Sequence, residues 1–230
     1  MELAAYSDGA GEARLRERFA AVTASEVAPG WEERWRDFHR PVRVGELWIG
    51  PSWAPPPADA IAVVIDPGRA FGTGGHATTR LCLELLVDLR SELRGGSVLD
   101  VGCGSGVLAI AATRLGYRPV RAVDLEPEAV AETRRNARRN GVEVEVQLAD
   151  ALAAELPAAD LVVANIARPT VDALAARLRC RVLVASGYLD SEPVASAGLR
   201  HRERRSADGW AADVYEPAEL SARSRHSDVN

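Results

Sequence analysis

From residue 61 onward, short runs rich in β-branched residues alternate with amphipathic stretches of helical period. This alternation is typical of an α/β fold with a doubly wound, mostly parallel sheet covered by helices on both faces. The pattern predicts strands at Ile61–Ile65, Ser97–Val101, Arg118–Asp124, Val142–Leu148, Leu161–Ala164, Arg181–Ala185, His201–Arg205 and Trp210–Tyr215. It predicts helices at Thr78–Leu89, Val107–Leu115, Pro127–Asn140, Thr170–Leu178 and Glu192–Ala197. Ala207-Asp208-Gly209 predicts a hairpin turn between the last two strands.

The segment before this alternation predicts a short extension with helical and β structure. Apolar residues recur at helical spacing over Glu12–Val27 and again over Trp31–Phe38. Four of the five tryptophans of the chain lie in this early region: Trp31, Trp35, Trp48 and Trp53. Their proximity favours a local structural cluster, with a partner-binding surface as the alternative.

Three consecutive prolines at residues 55–57 predict a stiff connector after this extension. We therefore expect residues 1–57 to form an N-terminal region and linker, and residues 58–216 to form the main domain. The polar residues 217–230 predict a disordered tail.

Composition bounds the class of protein. A chain of 230 residues that is 47% hydrophobic and 27% charged can bury one full core. The net charge of -5 argues against a broad electrostatic grip on nucleic acid, and the arginine-rich stretches Arg134–Arg139 and His201–Arg205 favour solvated faces over an RNA site. The absence of a long apolar run or a signal-peptide pattern predicts a cytoplasmic protein with no membrane span. Three scattered cysteines predict neither disulfides nor a metal site.

A glycine turn follows the strand that ends at Val101. It reads Gly102-Cys103-Gly104-Ser105-Gly106 and is followed by an apolar helix, which places the free N–H groups of a helix N-terminus beside a ligand. Dinucleotide sites use G-x-G-x-x-G, whereas the third glycine here comes one residue early. Together with Asp100 before the turn, this spacing resembles the S-adenosylmethionine motif of the seven-stranded methyltransferases. We predict cofactor contacts from Asp100, Gly102, Gly104 and Gly106.

Two further carboxylates follow predicted strands. Asp124 lies 22 residues beyond Gly102, where a carboxylate accepts hydrogen bonds from both hydroxyls of a ribose, and Leu125 comes next to it. The alternative for Asp124 is a helix N-cap ahead of Pro127. Asp150 is placed to contact an adenine amine. The alternative interpretation is that it is an ordinary turn aspartate.

A loop rich in glycine and threonine precedes the helix predicted at Thr78. Its composition indicates a loop shaped around a ligand, with an elaborate helix N-cap as the alternative. His76 by itself favours a capping or buried role, and no second histidine stands at metal-ligand spacing, so we predict no metal.

Three segments together resemble the bacterial ribosomal protein L-eleven methyltransferase family. They are Phe71-Gly72-Thr73-Gly74-Gly75-His76-Ala77-Thr78-Thr79, the glycine turn, and Asn165-Ile166 after a predicted strand. The resemblance runs from about Trp31 to Trp210. It implies a seven-stranded Rossmann-like sheet, mostly parallel with its last strand antiparallel, and S-adenosyl-L-methionine as cofactor.

The resemblance also implies the site residues. Matching positions assign cofactor contacts to Thr79, Gly102, Asp124 and Asn165, and the loop adds Phe71, Thr73 and Gly74. The family methylates amino groups, on lysine side chains and at the N-terminus, of the ribosomal protein that gives it its name. Asn165 is the predicted catalytic residue, because its oxygen would accept a hydrogen bond from the acceptor amine.

Other functions stay open at this point. Members of the family carry a separate N-terminal recognition domain, and only about thirty residues precede the tryptophan region here, too few for an independent core. A methyltransferase acting on another protein or a small amine, or a non-catalytic cofactor-binding module, are therefore the alternatives. A nicotinamide-dependent oxidoreductase is disfavoured by the glycine spacing.

Overall fold

The computed structural model describes residues 9–19, 23, 40–66, 72, 74–193 and 198–218. Its contacts divide the chain into two compact units, Met1–Phe38 and His39–Asn230. In the first unit the structure describes helix α1, Gly9–Arg18, which overlaps the start of the helix predicted over Glu12–Val27. The helix predicted over Trp31–Phe38 lies outside the described residues.

A small sheet opens the second unit. Strand β1 (Val42–Val44) pairs antiparallel with β2 (Leu47–Gly50), which pairs parallel with β3 (Ile61–Val64). The sequence pattern identified β3 and missed β1 and β2. β1 has three residues and β2 is buried on both faces, so neither shows the alternation by which a strand is identified. The division between residues 57 and 58 stays a prediction, and β2 and β3 pair across it.

The large sheet is built from strands and helices that alternate along the chain. In chain order they are α2 (Ala77–Leu93), β4 (Val98–Val101), α3 (Val107–Arg114), β5 (Val120–Asp124), α4 (Pro127–Arg139), β6 (Glu145–Leu148), β7 (Ala159–Asn165), α5 (Arg168–Ala175), β8 (Cys180–Leu189), β9 (Leu199–Ala207) and β10 (Trp210–Pro217). The seven strands have the order β6-β5-β4-β7-β8-β10-β9. β10 is antiparallel to both of its neighbours, which confirms the prediction of a mostly parallel sheet with an antiparallel last strand.

The core lies on both faces of this sheet. Val98 of β4 belongs to the cluster that contains α2 and α3, whereas Leu99 belongs to the cluster that contains Val171 and Leu174 of α5. Because helices cover both faces, all four residues of β4 are buried, and the strand reads as a continuous apolar run broken only by Asp100.

Several predicted boundaries shift in the structure. β8 continues to Leu189, four residues beyond the prediction, and β10 continues to Pro217, one residue into the predicted tail. The helix predicted over Glu192–Ala197 does not begin at Glu192, whose side chain instead accepts a hydrogen bond from the Leu189 N–H at 3.0 Å and closes a turn. Residues 194–197 and 219–230 lie outside the described residues.

Asn140 joins the small sheet to the helix α4. The Asn140 amide, directly after α4, accepts from the Val64 N–H and donates to the Val64 carbonyl oxygen, both at 2.8 Å. Its side chain therefore pairs with β3 as a neighbouring strand would. This contact holds β3 beside the end of α4.

Candidate functional site

A cavity of about 560 Å³ lies at the carboxyl ends of β4, β5 and β7. This is where open α/β sheets bind ligands, and the volume is in the range of small-molecule sites. Six of the predicted contact residues line it, namely Thr79, Gly102, Gly104, Asp124, Leu125 and Asn165. The structure thus brings together residues from α2, the glycine turn, the end of β5 and the end of β7.

The cavity also has a lining that the sequence analysis missed. These residues are Gly72, Cys103, Val107, Leu108, Glu126, Glu128, Ala129 and Ile166. Most of them lie directly after a predicted contact residue or between two such residues, so the motifs contained a signal for them. Gly74, Asp100, Gly106 and Asp150 do not line the cavity, and Phe71 and Thr73 lie outside the described residues.

The glycine turn approaches Ile166 closely. Gly102 has a φ of 74°, in the left-handed region, and a Cβ built on it would meet the Ile166 Cγ2 at 2.4 Å. Gly104 also has a positive φ and donates its N–H to Asp124 Oδ2 at 3.0 Å. The turn is therefore fixed on one side by the segment after β7 and on the other by the carboxylate at the end of β5.

Asp124 holds the turn with both carboxylate oxygens. Oδ2 accepts from Gly104, and Oδ1 accepts from the Glu126 N–H at 3.0 Å. It is not the N-cap of α4, which is Glu126, a residue whose side chain makes no capping hydrogen bond. Since each carboxylate oxygen can accept two hydrogen bonds, Asp124 retains capacity for a pair of hydroxyls in the cavity.

Asp100 lies buried below the turn and caps helix α3. Its Oδ2 accepts from the Ala109 N–H at 3.1 Å, and Ser105 Oγ accepts from the Val107 N–H at 3.3 Å. We expected the first N–H groups of this helix to be free for a ligand. This was wrong for the N–H groups of Val107 and Ala109, because the side chains of Ser105 and Asp100 already accept from them. Asp100 Oδ1 is buried without a hydrogen-bond partner among the described residues.

The burial of Asp100 predicts a pH effect on stability. Desolvation raises the pKa of this carboxyl from 3.8 to about 7, although the bond from Ala109 opposes the shift. The folded chain then binds more protons than the unfolded chain between these two pKa values, so this group removes stability as pH rises through that window. We expect the stability of Asp100→Asn relative to wild type to increase from about pH 4 to about pH 7, measured by melts without cofactor. A difference in melting temperature that does not change with pH would contradict this.

The end of β7 places Asn165 beside the start of α2. Asn165 Nδ2 donates to Thr79 Oγ1 at 3.4 Å, and both residues line the cavity. With the amide nitrogen directed to Thr79, its oxygen accepts no hydrogen bond from the described residues and is available to an amine donor. The orientation of the amide is assigned from this contact.

The loop before α2 is held by the small sheet. Gly74 has a φ of 93°, and a Cβ there would meet the Ile49 Cγ2 of β2 at 2.5 Å. His76 is the N-cap of α2 and accepts from the Thr78 N–H at 3.4 Å, which confirms its capping role. The small sheet therefore supports the segment that carries Thr79.

Adjacent glycines in this loop provide a matched test. Gly74→Ala introduces a clash with the Ile49 side chain and a strained φ, so we expect it to displace the loop and weaken cofactor binding by roughly tenfold or more. At Gly75 no atom lies within 4 Å of a built Cβ, and we expect Gly75→Ala to bind like wild type. Calorimetric titration of both variants measures this, and equal affinities would show that the Ile49 contact does not shape the site.

Other predicted groups have local structural contacts. Asp150 Oδ1 accepts from the Leu152 N–H at 2.9 Å, as a turn aspartate does. On α4, Arg134 donates to the Val146 carbonyl oxygen, Arg135 pairs with Glu132, and Arg139 pairs with Asp66. Three of these arginines are thus engaged within the fold.

Cysteine and metal chemistry are not indicated by the described residues. Cys103 lines the cavity, but burial raises the pKa of its thiol to about 12, so it is uncharged at neutral pH. Within the part of the chain that the structure describes, no three His, Cys, Asp or Glu side chains are grouped as metal ligands. No helix of that part is long and apolar enough to cross a membrane.

The strand order, the antiparallel last strand and the glycine-turn cavity define a Rossmann-like methyltransferase fold. Residues 9–198 match the family described as Ribosomal protein L11 methyltransferase (PrmA), and the chain belongs to this family. The family resemblance and the fold class expected from the sequence are thereby confirmed.

Named relatives agree with this assignment. The chain is 43% identical over 192 residues to the ribosomal protein L11 methyltransferase of Vibrio parahaemolyticus, across 77% of this chain and 62% of that protein. It is 45% identical over 172 residues to the protein of the same name from Aliivibrio salmonicida, across 70% and 57%. The chain therefore spans about three-fifths of the length of these curated relatives.

A solved structure matches over most of the fold. The crystal structure of the ribosomal protein L11 methylase from Lactobacillus delbrueckii subsp. bulgaricus superimposes with a TM-score of 0.69 at 29% sequence identity. The match covers 78% of this chain and 99% of that one.

Proposed function

We propose that this chain is an S-adenosyl-L-methionine-dependent N-methyltransferase that methylates amino groups of ribosomal protein L11 in the cytoplasm. The observation that carries the proposal is the single cavity wall formed by Gly102 and Gly104, Asp124 and the Thr79–Asn165 pair. The names of the family and of the relatives support ribosomal protein L11 as the acceptor. The three cysteines are free thiols, in keeping with a reducing compartment.

The residues of the cavity fit this cofactor. The glycine turn leaves room for a ligand to lie against its backbone, and Asp124 is placed to accept from the two ribose hydroxyls. Leu125, 64% exposed beside it, offers an apolar surface for the flat face of a base. When bound, S-adenosylmethionine supplies an electrophilic methyl group carried on a sulfonium.

The main task of the protein is then to orient a neutral amine. Orientation of two reactants can supply about 7–11 kcal/mol of a barrier. A lysine side chain with a pKa of ~10.4 also has to lose a proton, at a free-energy cost of about 4–5 kcal/mol near neutral pH, whereas an N-terminal amine with a pKa of ~8 requires only about 1–2 kcal/mol. Desolvation in the cavity lowers the pKa of an ammonium, so no dedicated base is required.

Asn165 is the group that receives the amine. Thr79 fixes its amide at one side, so the amide oxygen can accept one N–H of the acceptor and direct the nitrogen lone pair along the line of transfer. The proton of the ammonium leaves to solvent before transfer. Asn165 thus orients the amine without forming a covalent bond.

The function is tested by incubating the purified chain with unmodified L11 and isotope-labelled cofactor. We expect label on L11 amines, and because this chain contains no lysine, lysine label reports the acceptor alone. If another ribosomal protein or a small amine is labelled and L11 is not, that molecule is the acceptor and L11 is excluded. Cofactor binding without transfer to any of these would contradict catalysis.

A further inference from the structure

The geometry of the cavity sets the side from which an acceptor arrives. Its lining runs along the sheet from Asp124 on β5, through the turn after β4, to Asn165 on β7. With the ribose at Asp124 and the reacting methyl at Asn165, an in-line acceptor lies beyond β7. The strands next in order are β8 and β10, so their ends at this edge face the acceptor.

Trp210 occupies that edge. It is the first residue of β10 and stands opposite Leu189, the last residue of β8, whose side chain is 46% exposed. The Trp210 indole makes an edge contact with the His76 ring, with centroids 4.8 Å apart and planes inclined by 68°. His76 in turn comes one helical turn before Thr79, which bonds Asn165. This ring contact, the first turn of α2 and the Thr79–Asn165 hydrogen bond thus connect Asn165 to Trp210.

The position of the indole is braced. Asp208, in the hairpin turn that precedes β10, accepts from Arg80 of α2 at 2.5 Å, and the Gly209 carbonyl oxygen accepts from the Asp190 N–H at 3.0 Å. The hairpin tip is therefore tied both to α2 and to the end of β8. A tryptophan held in this way loses little conformational freedom when it binds a partner.

We propose that Trp210 is a specificity-determining residue for the acceptor, and that it binds the alkylammonium-bearing polypeptide segment beside the target amine. An indole face attracts ammonium groups through cation–π interaction, and Leu189 adds apolar surface for the methylene groups of such side chains. The inference rests on the proposed function, since it names how that same site selects its acceptor. Trp210 acts on the acceptor and not on the cofactor.

The test compares Trp210→Ala and Trp210→Phe with Trp53→Ala, which removes a partly exposed indole from the connector between β2 and β3. Binding of L11 is measured calorimetrically with S-adenosylhomocysteine present, and turnover is measured separately. We expect Trp210→Ala to raise both the Kd and the KM for L11 by about tenfold. Trp210→Phe should recover most of this, and Trp53→Ala should match wild type. Cofactor affinity should be unchanged in all three, and Trp210→Phe, which keeps an aromatic ring beside His76, should keep the melting temperature of wild type.

The outcomes separate this inference from the proposed function. If Trp210→Ala binds L11 like wild type, or loses cofactor affinity in parallel, the role of Trp210 is overturned and the proposed function is unaffected. Binding of L11 by wild type without methyl transfer overturns the proposed function, while the ratio of Kd values still decides the role of Trp210. If wild type neither binds nor methylates L11, both fail.

Discussion

Replacing Asn165 with alanine should lower kcat by roughly 100-fold or more and leave the affinity for S-adenosylmethionine within about threefold of wild type. The reason is that Asn165 is proposed to accept the amine N–H, whereas Asp124 and the glycine turn form a separate part of the cavity wall. Single-turnover transfer to L11 and calorimetric binding of the cofactor measure the two effects.

The partner of Asn165 supplies a matched control. Thr79→Ser keeps the hydroxyl that accepts the hydrogen bond from the Asn165 amide nitrogen, so this variant should retain most turnover. Thr79→Val removes the hydroxyl and should lose part of the rate, because the Asn165 amide is then free to rotate. Wild-type turnover in Asn165→Ala would refute its role. Equal losses of rate and of cofactor affinity would assign Asn165 to cofactor binding instead of amine orientation.

Asp124→Ala should raise the Kd for S-adenosylmethionine by about 100-fold or more. The substitution removes the carboxylate proposed to bind the ribose and leaves the Gly104 and Glu126 N–H groups without their partner, and a hydrogen bond to a charged group contributes about 1.5–3 kcal/mol. Asp59→Ala, which alters an exposed carboxylate in the connector between β2 and β3, is the control. If the Kd of Asp124→Ala stays within a few-fold of wild type, the Asp124 carboxylate does not bind the cofactor.

The sequence predicted the parts of the molecule in which a local pattern determines structure. The alternation of strands and helices predicted a mostly parallel sheet covered by helices, while its seven strands came from the family resemblance. The spacing of glycines predicted the turn whose residues 102, 104 and 106 all have positive φ. Chain order also located Asp124 and Asn165 at strand ends that meet at one edge. These inferences need only neighbouring residues and the rule that parallel strands end together.

Features that depend on distant contacts were not predictable in this way. Asp100 caps α3 because the turn folds Ala109 back over it, and the ring contact of Trp210 with His76 joins residues from opposite ends of the main sheet's sequence. β2 was missed because burial on both faces removes its alternation. In each case the deciding quantity is a tertiary distance, on which sequence spacing carries no information.

The most direct test of the central claim is the intact mass of L11 from matched cells with and without this chain. We predict that L11 from cells that contain the chain is heavier by whole methyl increments, and that the increments disappear when the chain is removed and return with the wild-type chain but not with Asn165→Ala. Identical L11 masses in the two cell populations would contradict the assignment of L11 as the acceptor.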